Sequence, residues 1–148
     1  MNALETTILI AEDDDAHAEL ISANLVRAGL SNTIVRFRDG EELLAYLTGP
    51  ELSSGSYLVL MDIRMPRIDG YEALQRMKAS DRLRRIPVIM VTTTNDRSEI
   101  ERCHDLGCSS YITKPVDYAK FVEAIRILGL FLAVVEAPVV ETSAGIER

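Results

Sequence analysis

The sequence predicts an α/β domain in which five parallel strands alternate with five helices, doubly wound into three layers. Three observations carry this. Short apolar, β-rich runs recur five times without polar alternation, as expected of strands covered on both faces. Each is followed by a segment of helical apolar spacing, and most of these open on an aspartate and close on a glycine. The chain has 148 residues, 47% apolar and 26% charged, which suits one domain with a self-sufficient core.

The elements follow in order. Thr6 to Ala11 reads as a buried strand that stops at the acidic run Glu12-Asp13-Asp14-Asp15. Asp14 or Asp15 caps a helix with Leu20, Ile21, Leu25 and Val26 as its inward stripe, and Gly29 ends it. Thr33 to Phe37 is a second strand. Asp39 caps the next helix, with Glu42 three residues on as capping-box partner and Leu43, Leu44 and Leu47 facing inward before Gly49-Pro50. Tyr57 to Met61 is a third strand, ended by Asp62. The loop IRMPRIDG leads to a helix running to about Ala79, with Leu74 and Met77 inside. Ile86 to Val91 is a fourth strand, with Pro87 near its start where a strand tolerates it. Asp96 with Glu99 opens a helix closed by Gly107, Ser110 to Thr113 is a short fifth strand, and Asp117 caps a last helix reaching about Glu136. With right-handed crossovers these units build a parallel sheet with helices on both faces. Residues 1–136 form the domain and 137–148 an arm or tail.

Charge and composition exclude several classes. The formal net charge of -7 argues against a nucleic-acid surface. No apolar run approaches the roughly 18 to 20 residues of a membrane span, and the first residues MNALETT do not resemble a secretory leader. Two cysteines, Cys103 and Cys108, make no disulfide framework, so a reduced, cytoplasmic setting is expected. With His104 they lack the spacing of a zinc site. His17 stands alone on a helix and carries no signal of its own.

In an open parallel sheet, ligands sit at the carboxyl ends of the strands. There the first strand delivers Glu12 and Asp13, the third Asp62, the fourth Thr92 with Thr93 and Thr94 behind it, and the fifth Lys114 and Pro115. Three converging carboxylates repel unless a cation joins them. Oxygen ligands suit a hard ion that keeps part of its water, most simply Mg²⁺. A carboxylate can also serve as a covalent nucleophile toward a phosphoryl group, whose charge the ion and Lys114 would stabilise.

The runs ILIAEDD, LVLMDIRMPRIDG, PVIMVTT and YITKP, in this order, resemble the receiver domain of two-component response regulators, the CheY-like fold, from about Thr6 to Val135. The resemblance implies a flavodoxin-like (βα)5 sheet of strand order 2-1-3-4-5. It also implies roles. Asp62 is the phospho-acceptor. Asp13 is a direct Mg²⁺ ligand, Glu12 acts mostly through bound water, and the backbone carbonyl of Arg64 adds a ligand. Thr92 hydrogen-bonds the phosphoryl group, with Thr93 beside it. Lys114 pairs with that group and is oriented by Pro115. Tyr111 is the switch aromatic. Arg64 and Thr93 depart from the commoner residues at their positions, and both stand beside the reacting phosphorus.

The last helix, FVEAIRILGLFLAVVEAP, is too apolar for a free surface. Phe121, Ile125, Leu128, Leu132 and Val135 supply one stripe, and Val122, Leu130, Phe131 and Val134 fall outside it. A homodimer explains the excess better than a membrane does. This end also resembles a branch of single-domain regulators associated with bacterial phytochrome kinases, in which a C-terminal arm helps form dimers; APVV is the candidate arm. The expected function is a stand-alone receiver that takes phosphate from a histidine kinase or phosphotransfer protein, since twelve residues after Glu136 leave no room for a DNA-binding domain. Two alternatives stay open: a receiver-like binding module that works without phosphorylation, and a haloacid-dehalogenase-type phosphohydrolase. Against the second, Arg64 occupies the place of that family's second acid.

Overall fold

The structure, a computed structural model, describes residues 6–30, 32–93, 96–114, 117–120, 122–124, 126 and 139–140. The elements are β1 (Thr6–Ala11), α1 (Asp15–Arg27), β2 (Ile34–Phe37), α2 (Gly40–Thr48), β3 (Gly55–Asp62), α3 (Gly70–Ala79), β4 (Val88–Thr92), α4 (Arg97–Asp105), β5 (Ser110–Thr113) and β6 (Val139–Val140). Residues 118–120 and 122–124 are also helical. The first five strands are parallel in the order β2-β1-β3-β4-β5, the predicted fold. The register sets Ala11 beside Met61, Asp62 beside Val91, and Thr92 beside Thr113. The residues that follow each strand therefore meet at one rim.

Alternate side chains of the central strands feed two cores. Val59, Met61 and Met90 pack with Leu43, Leu47, Leu74 and Met77 on one face. Leu58, Leu60, Ile89 and Ile112 pack with Ile21 and Leu25 on the other. At the apolar rate of about 25 cal/mol per Å², each such fully buried leucine contributes about 2 kcal/mol. Each helix start is held by an aspartate that accepts a backbone hydrogen bond. Asp14 takes the amide of His17, Asp39 of Glu42, Asp69 of Glu72, Asp96 of Ser98, and Asp117 of Lys120. Glu42 answers to the amide of Arg38, one residue earlier than a standard capping box. Gly29 and Gly107 end α1 and α4 with φ of +86° and +101°, a conformation that favours glycine.

Some expectations need correction. Leu20 and Val26 are 40% and 68% exposed. The inward face of α1 is Ala18, Ile21, Asn24 and Leu25, because at 100° per residue neither Leu20 nor Val26 shares the line of Ile21 and Leu25. β4 begins at Val88 rather than at Ile86: Pro87 has no amide to donate, and its carbonyl takes the amide of Val59 at 3.0 Å. β3 begins at Gly55, two residues before the predicted start. Its first residues pair with β1 on one edge, and Val139–Val140 pair antiparallel with Ser56 and Gly55 on the other. The segment read as an arm thus adds a short strand to β3. Pro115, Leu130, Phe131 and Val134 lie outside the described residues, while Val122 is half-buried. Among the described residues, no helix is long and apolar enough to cross a membrane.

Candidate functional site

Glu12, Asp13 and Asp62 bring one carboxylate oxygen each within 4.8 Å of one another. Their placement follows from the register, since β1 and β3 are neighbours and both end at this rim. Glu12 is 1% exposed and Asp62 6%, while Asp13 faces solvent. Lys114, directly after β5, spans the two buried acids. Its Nζ lies 3.0 Å from Glu12 Oε1 and 3.1 Å from Asp62 Oδ2. The Lys114 backbone amide donates to the carbonyl of Thr92 at 2.6 Å, which ties it to β4.

The electrostatics follow from burial and pairing. Burial pushes the Asp62 carboxyl up to about 6, the charge of Glu12 adds to the effect, and Lys114 opposes it. Burial also works against ionised Glu12, but there the hydrogen bonds from Lys114 and His17, the charge of Lys114 and the amide of Asp14 prevail and hold its carboxyl below the usual range. Burial likewise disfavours charged Lys114, and its two carboxylate partners more than offset that. Three carboxylates and one ammonium leave a net double negative charge, and every donor is oxygen. That set fits a hard divalent cation such as Mg²⁺. Both oxygens of Glu12 and both of Asp62 already accept hydrogen bonds, and Asp13 is the exposed acid of the three.

The loop after β3 is held tightly. The amide of Gly70 donates to the carbonyl of Ile63 at 2.7 Å. A Cβ on Gly70 would lie 2.5 Å from the carbonyl oxygen of Asp62 and 2.7 Å from Cα of Ile63, so only glycine allows α3 to start this close to the acid. Arg67 stands in the left-handed region at φ +69° and is anchored by Asp39 at 3.5 Å and Glu41 at 3.1 Å. A groove of about 350 Å³ beside the acids is lined by Asp13, Ile63, Arg64, Met65, Pro66, Asp69 and Tyr71.

Other predicted positions fall as follows. Thr92 is buried at the end of β4 and Thr93 is exposed. The Arg64 amide is 3.4 Å from Asp62 Oδ1. Its guanidinium turns to α4, where it pairs with Glu99 at 3.1 Å, and the hydroxyl of Tyr71 donates to the same Glu99 oxygen. The Tyr111 ring is 36% exposed and meets the edge of His104 at 5.7 Å, so it points outward. Two residues with close roles went unread in the sequence. His17 Nδ1 is 2.9 Å from Glu12 Oε1. Arg36, on β2, donates to the Glu12 carbonyl from Nε at 3.0 Å and Nη2 at 2.6 Å. The spacing of five from a strand-end acid to the first helical turn was the available signal for His17. Arg36 had none, because its contact depends on the pairing of β1 with β2.

Comparison with known proteins agrees with this geometry. The response regulator receiver domain family matches residues 8–126. The probable methanogenesis regulatory protein FilR2 of Methanothrix harundinacea is 39% identical over 124 residues, 80% of each chain. The polar-differentiation response regulator DivK of Brucella anthropi is 36% identical, with 81% of this chain and 93% of that one covered. Among solved structures, a response regulator receiver domain from Rhodospirillum rubrum is 45% identical with a TM-score of 0.78, covering 92% of this chain and 99% of its own. The bacteriophytochrome response regulator RtBRR is 35% identical with a TM-score of 0.75, covering 90% and 84%. The Mn²⁺-bound form of response regulator Rcp1 is 25% identical with a TM-score of 0.70, covering 92% and 99%. The strand order, the acids at the rim and these matches together make the chain a member of the response regulator receiver domain family of two-component signalling, with CheY-like architecture and bacteriophytochrome response regulators among its structural neighbours.

Proposed function

We propose that this chain is a cytoplasmic response regulator that accepts a phosphoryl group on Asp62, with Mg²⁺, from a histidine kinase or phosphotransfer protein, and signals through protein contacts. Receiver domains work with histidine kinases, and the likeness to RtBRR supports a bacteriophytochrome as the kinase. One observation carries the reading: a buried aspartate at the end of β3 shares a single ammonium, Lys114, with a second buried acid, while a third stands exposed beside them.

In this reading an oxygen of Asp62, Oδ2 on the Lys114 side, attacks the phosphorus of the donor's phosphohistidine. The new O–P bond forms as the N–P bond breaks, and the leaving imidazole takes a proton from solvent. Asp13, Asp62 and the carbonyl of Arg64 would hold Mg²⁺, with Glu12 acting through water. The ion supplies charge neutralisation for the phosphoryl oxygens. Lys114 turns from the acids toward the phosphoryl group, and Thr92, with Thr93 next to it, donates a hydroxyl hydrogen bond. Tyr111 then moves inward as Thr92 is drawn to the phosphate, and Pro115 orients Lys114. Water later attacks the phosphorus, breaking the acyl phosphate to carboxylate and inorganic phosphate. The chain is a signalling protein whose self-phosphorylation and self-dephosphorylation serve as a switch. Manganese in Rcp1 and the oxygen-only donor set support the metal. The apolar run containing Val122, Leu130, Phe131 and Val134 supports a homodimer through the last helix and the arm, and the output is a contact with protein rather than with nucleic acid or membrane.

The test is incubation with acetyl phosphate and Mg²⁺, read by intact mass, beside Asp62→Asn. The wild type gains one phosphoryl group and the variant none. Label on the variant, or a wild type that stays unlabelled, refutes the reading.

A further inference from the structure

Glu12 is the most enclosed acid of the cluster, and its Oε1 has two partners: Lys114 Nζ at 3.0 Å and His17 Nδ1 at 2.9 Å. A carboxylate only accepts, so Nδ1 of His17 carries the hydrogen. His17 is itself fixed. It lies in the first turn of α1, Asp14 accepts its backbone amide at 3.0 Å, its side chain is 13% exposed, and its Nε2 is buried without a hydrogen-bond partner among the described residues. The ring therefore serves one acceptor. Arg36 grips the Glu12 carbonyl separately, so the backbone there does not depend on His17.

Lys114 has two tasks that conflict. At rest it balances Glu12 and Asp62. During transfer it must turn to the incoming phosphoryl group. When Lys114 leaves Glu12, the Asp14 amide still serves Oε2 at 3.2 Å but Oε1 keeps only the His17 ring, and an under-paired buried charge is costly. The geometry points to His17 as a positioning residue for phosphoryl transfer, whose Nδ1–H keeps Glu12 satisfied so that Lys114 is free to leave it. The inference rests on Asp62 being the phospho-acceptor.

Three variants test it. His17→Leu removes the donor. His17→Asn keeps a side-chain N–H at the Nδ1 position. His17→Gln carries its amide one methylene further, toward the position of Nε2. At saturating Mg²⁺, acetyl phosphate is expected to label His17→Leu about ten-fold more slowly than wild type, the worth of one hydrogen bond to a charged group. His17→Asn recovers to within about three-fold, and His17→Gln stays slow. Titration calorimetry with MgCl₂ gives the second readout: affinity stays within about two-fold of wild type in all three, because His17 touches neither Asp13 nor Asp62. A wild-type rate in His17→Leu, or equal slowing in Asn and Leu, overturns the inference, as does a loss of Mg²⁺ affinity that matches the loss of rate. Should His17→Leu fail to fold by circular dichroism, the Asn and Gln pair decides: Asn faster supports the role, and Gln equal or faster overturns it. A wild type that takes no label overturns the proposed function as well; a labelled wild type with an insensitive His17 overturns this inference alone.

Discussion

Replacing Asp62 by Asn is expected to stabilise the metal-free protein at neutral pH while abolishing its phosphorylation. Asp62 is 6% exposed, and burial together with the charge of Glu12, against the pull of Lys114, lifts its carboxyl from 3.8 to about 6. Two units at about 1.4 kcal/mol each make roughly 3 kcal/mol against the ionised form in the folded state. A raised acid pKa means that the native state binds the proton more tightly than the unfolded chain. The penalty is therefore fully present above pH 6 and fades as pH falls toward 4. Asn carries no charge, and its amide can donate to Glu12. The pull of Lys114 is already inside that balance, and part of the gain is returned because a buried Asn amide needs hydrogen-bond partners of its own. The net gain at pH 7.5 should be about 1 to 2 kcal/mol, or about 3 to 8 °C in Tm for a domain of this size. Scanning calorimetry in EDTA measures it. At pH 5 the difference should shrink by roughly half as wild-type Asp62 takes up its proton. Adding Mg²⁺ should then raise the Tm of the wild type and leave the variant nearly unchanged. No gain at pH 7.5, or a gain of the same size at pH 5, refutes the electrostatic reasoning.

Gly70→Ala should destabilise the fold by about 3 kcal/mol in denaturant titration, because its Cβ meets backbone atoms of Asp62 and Ile63 that cannot yield; a loss under about 0.5 kcal/mol would mean that the loop relaxes. Lys114→Met should slow labelling by acetyl phosphate at least about 100-fold. It should also cost about 3 kcal/mol at pH 7.5, since two buried carboxylates lose their ammonium. The stability loss should shrink on acidification, as the abandoned acids protonate. Truncation after Glu136 removes β6, so amide exchange at Gly55 and Ser56 should accelerate while the labelling rate of Asp62 stays as it was; unchanged exchange would mean that the pairing contributes nothing in solution.

The sheet and the acids at its rim were legible because both are local. An apolar run followed by an acid is read without knowledge of its neighbours, and parallel order then carries Glu12, Asp13, Asp62, Thr92 and Lys114 to one edge. What escaped depends on angle or on pairing. Leu20 and Val26 are apolar, yet they are exposed, while polar Asn24 is buried: the direction of a helix face is fixed by where the sheet lies, and composition alone misjudges it. Glu99 lies in the first turn of α4 as read, but its carboxylate accepts from Arg64 and Tyr71, contacts that depend on how α4 sits beside the loop after β3. Arg36 reaches Glu12 only because β2 lies beside β1. The strand at Val139–Val140 has two residues, too few to show any period.

The capping aspartates have an effect beyond the helices they start. Because β1 to β5 are parallel, each following helix begins at the rim where its strand ends, so Asp14, Asp39, Asp69, Asp96 and Asp117 stand at the same rim as the three acids of the pocket. Arg36, Arg38, Arg64 and Arg67 offset only part of that charge. The mouth of the pocket thus draws small cations inward and holds small anions off, over the roughly 8 to 10 Å that physiological salt allows. A free anionic phosphodonor has to climb this field. On the proposed function a donor carried on a protein with a basic face would descend it, so the rim would sort messengers by the sign of their charge before any surfaces touch.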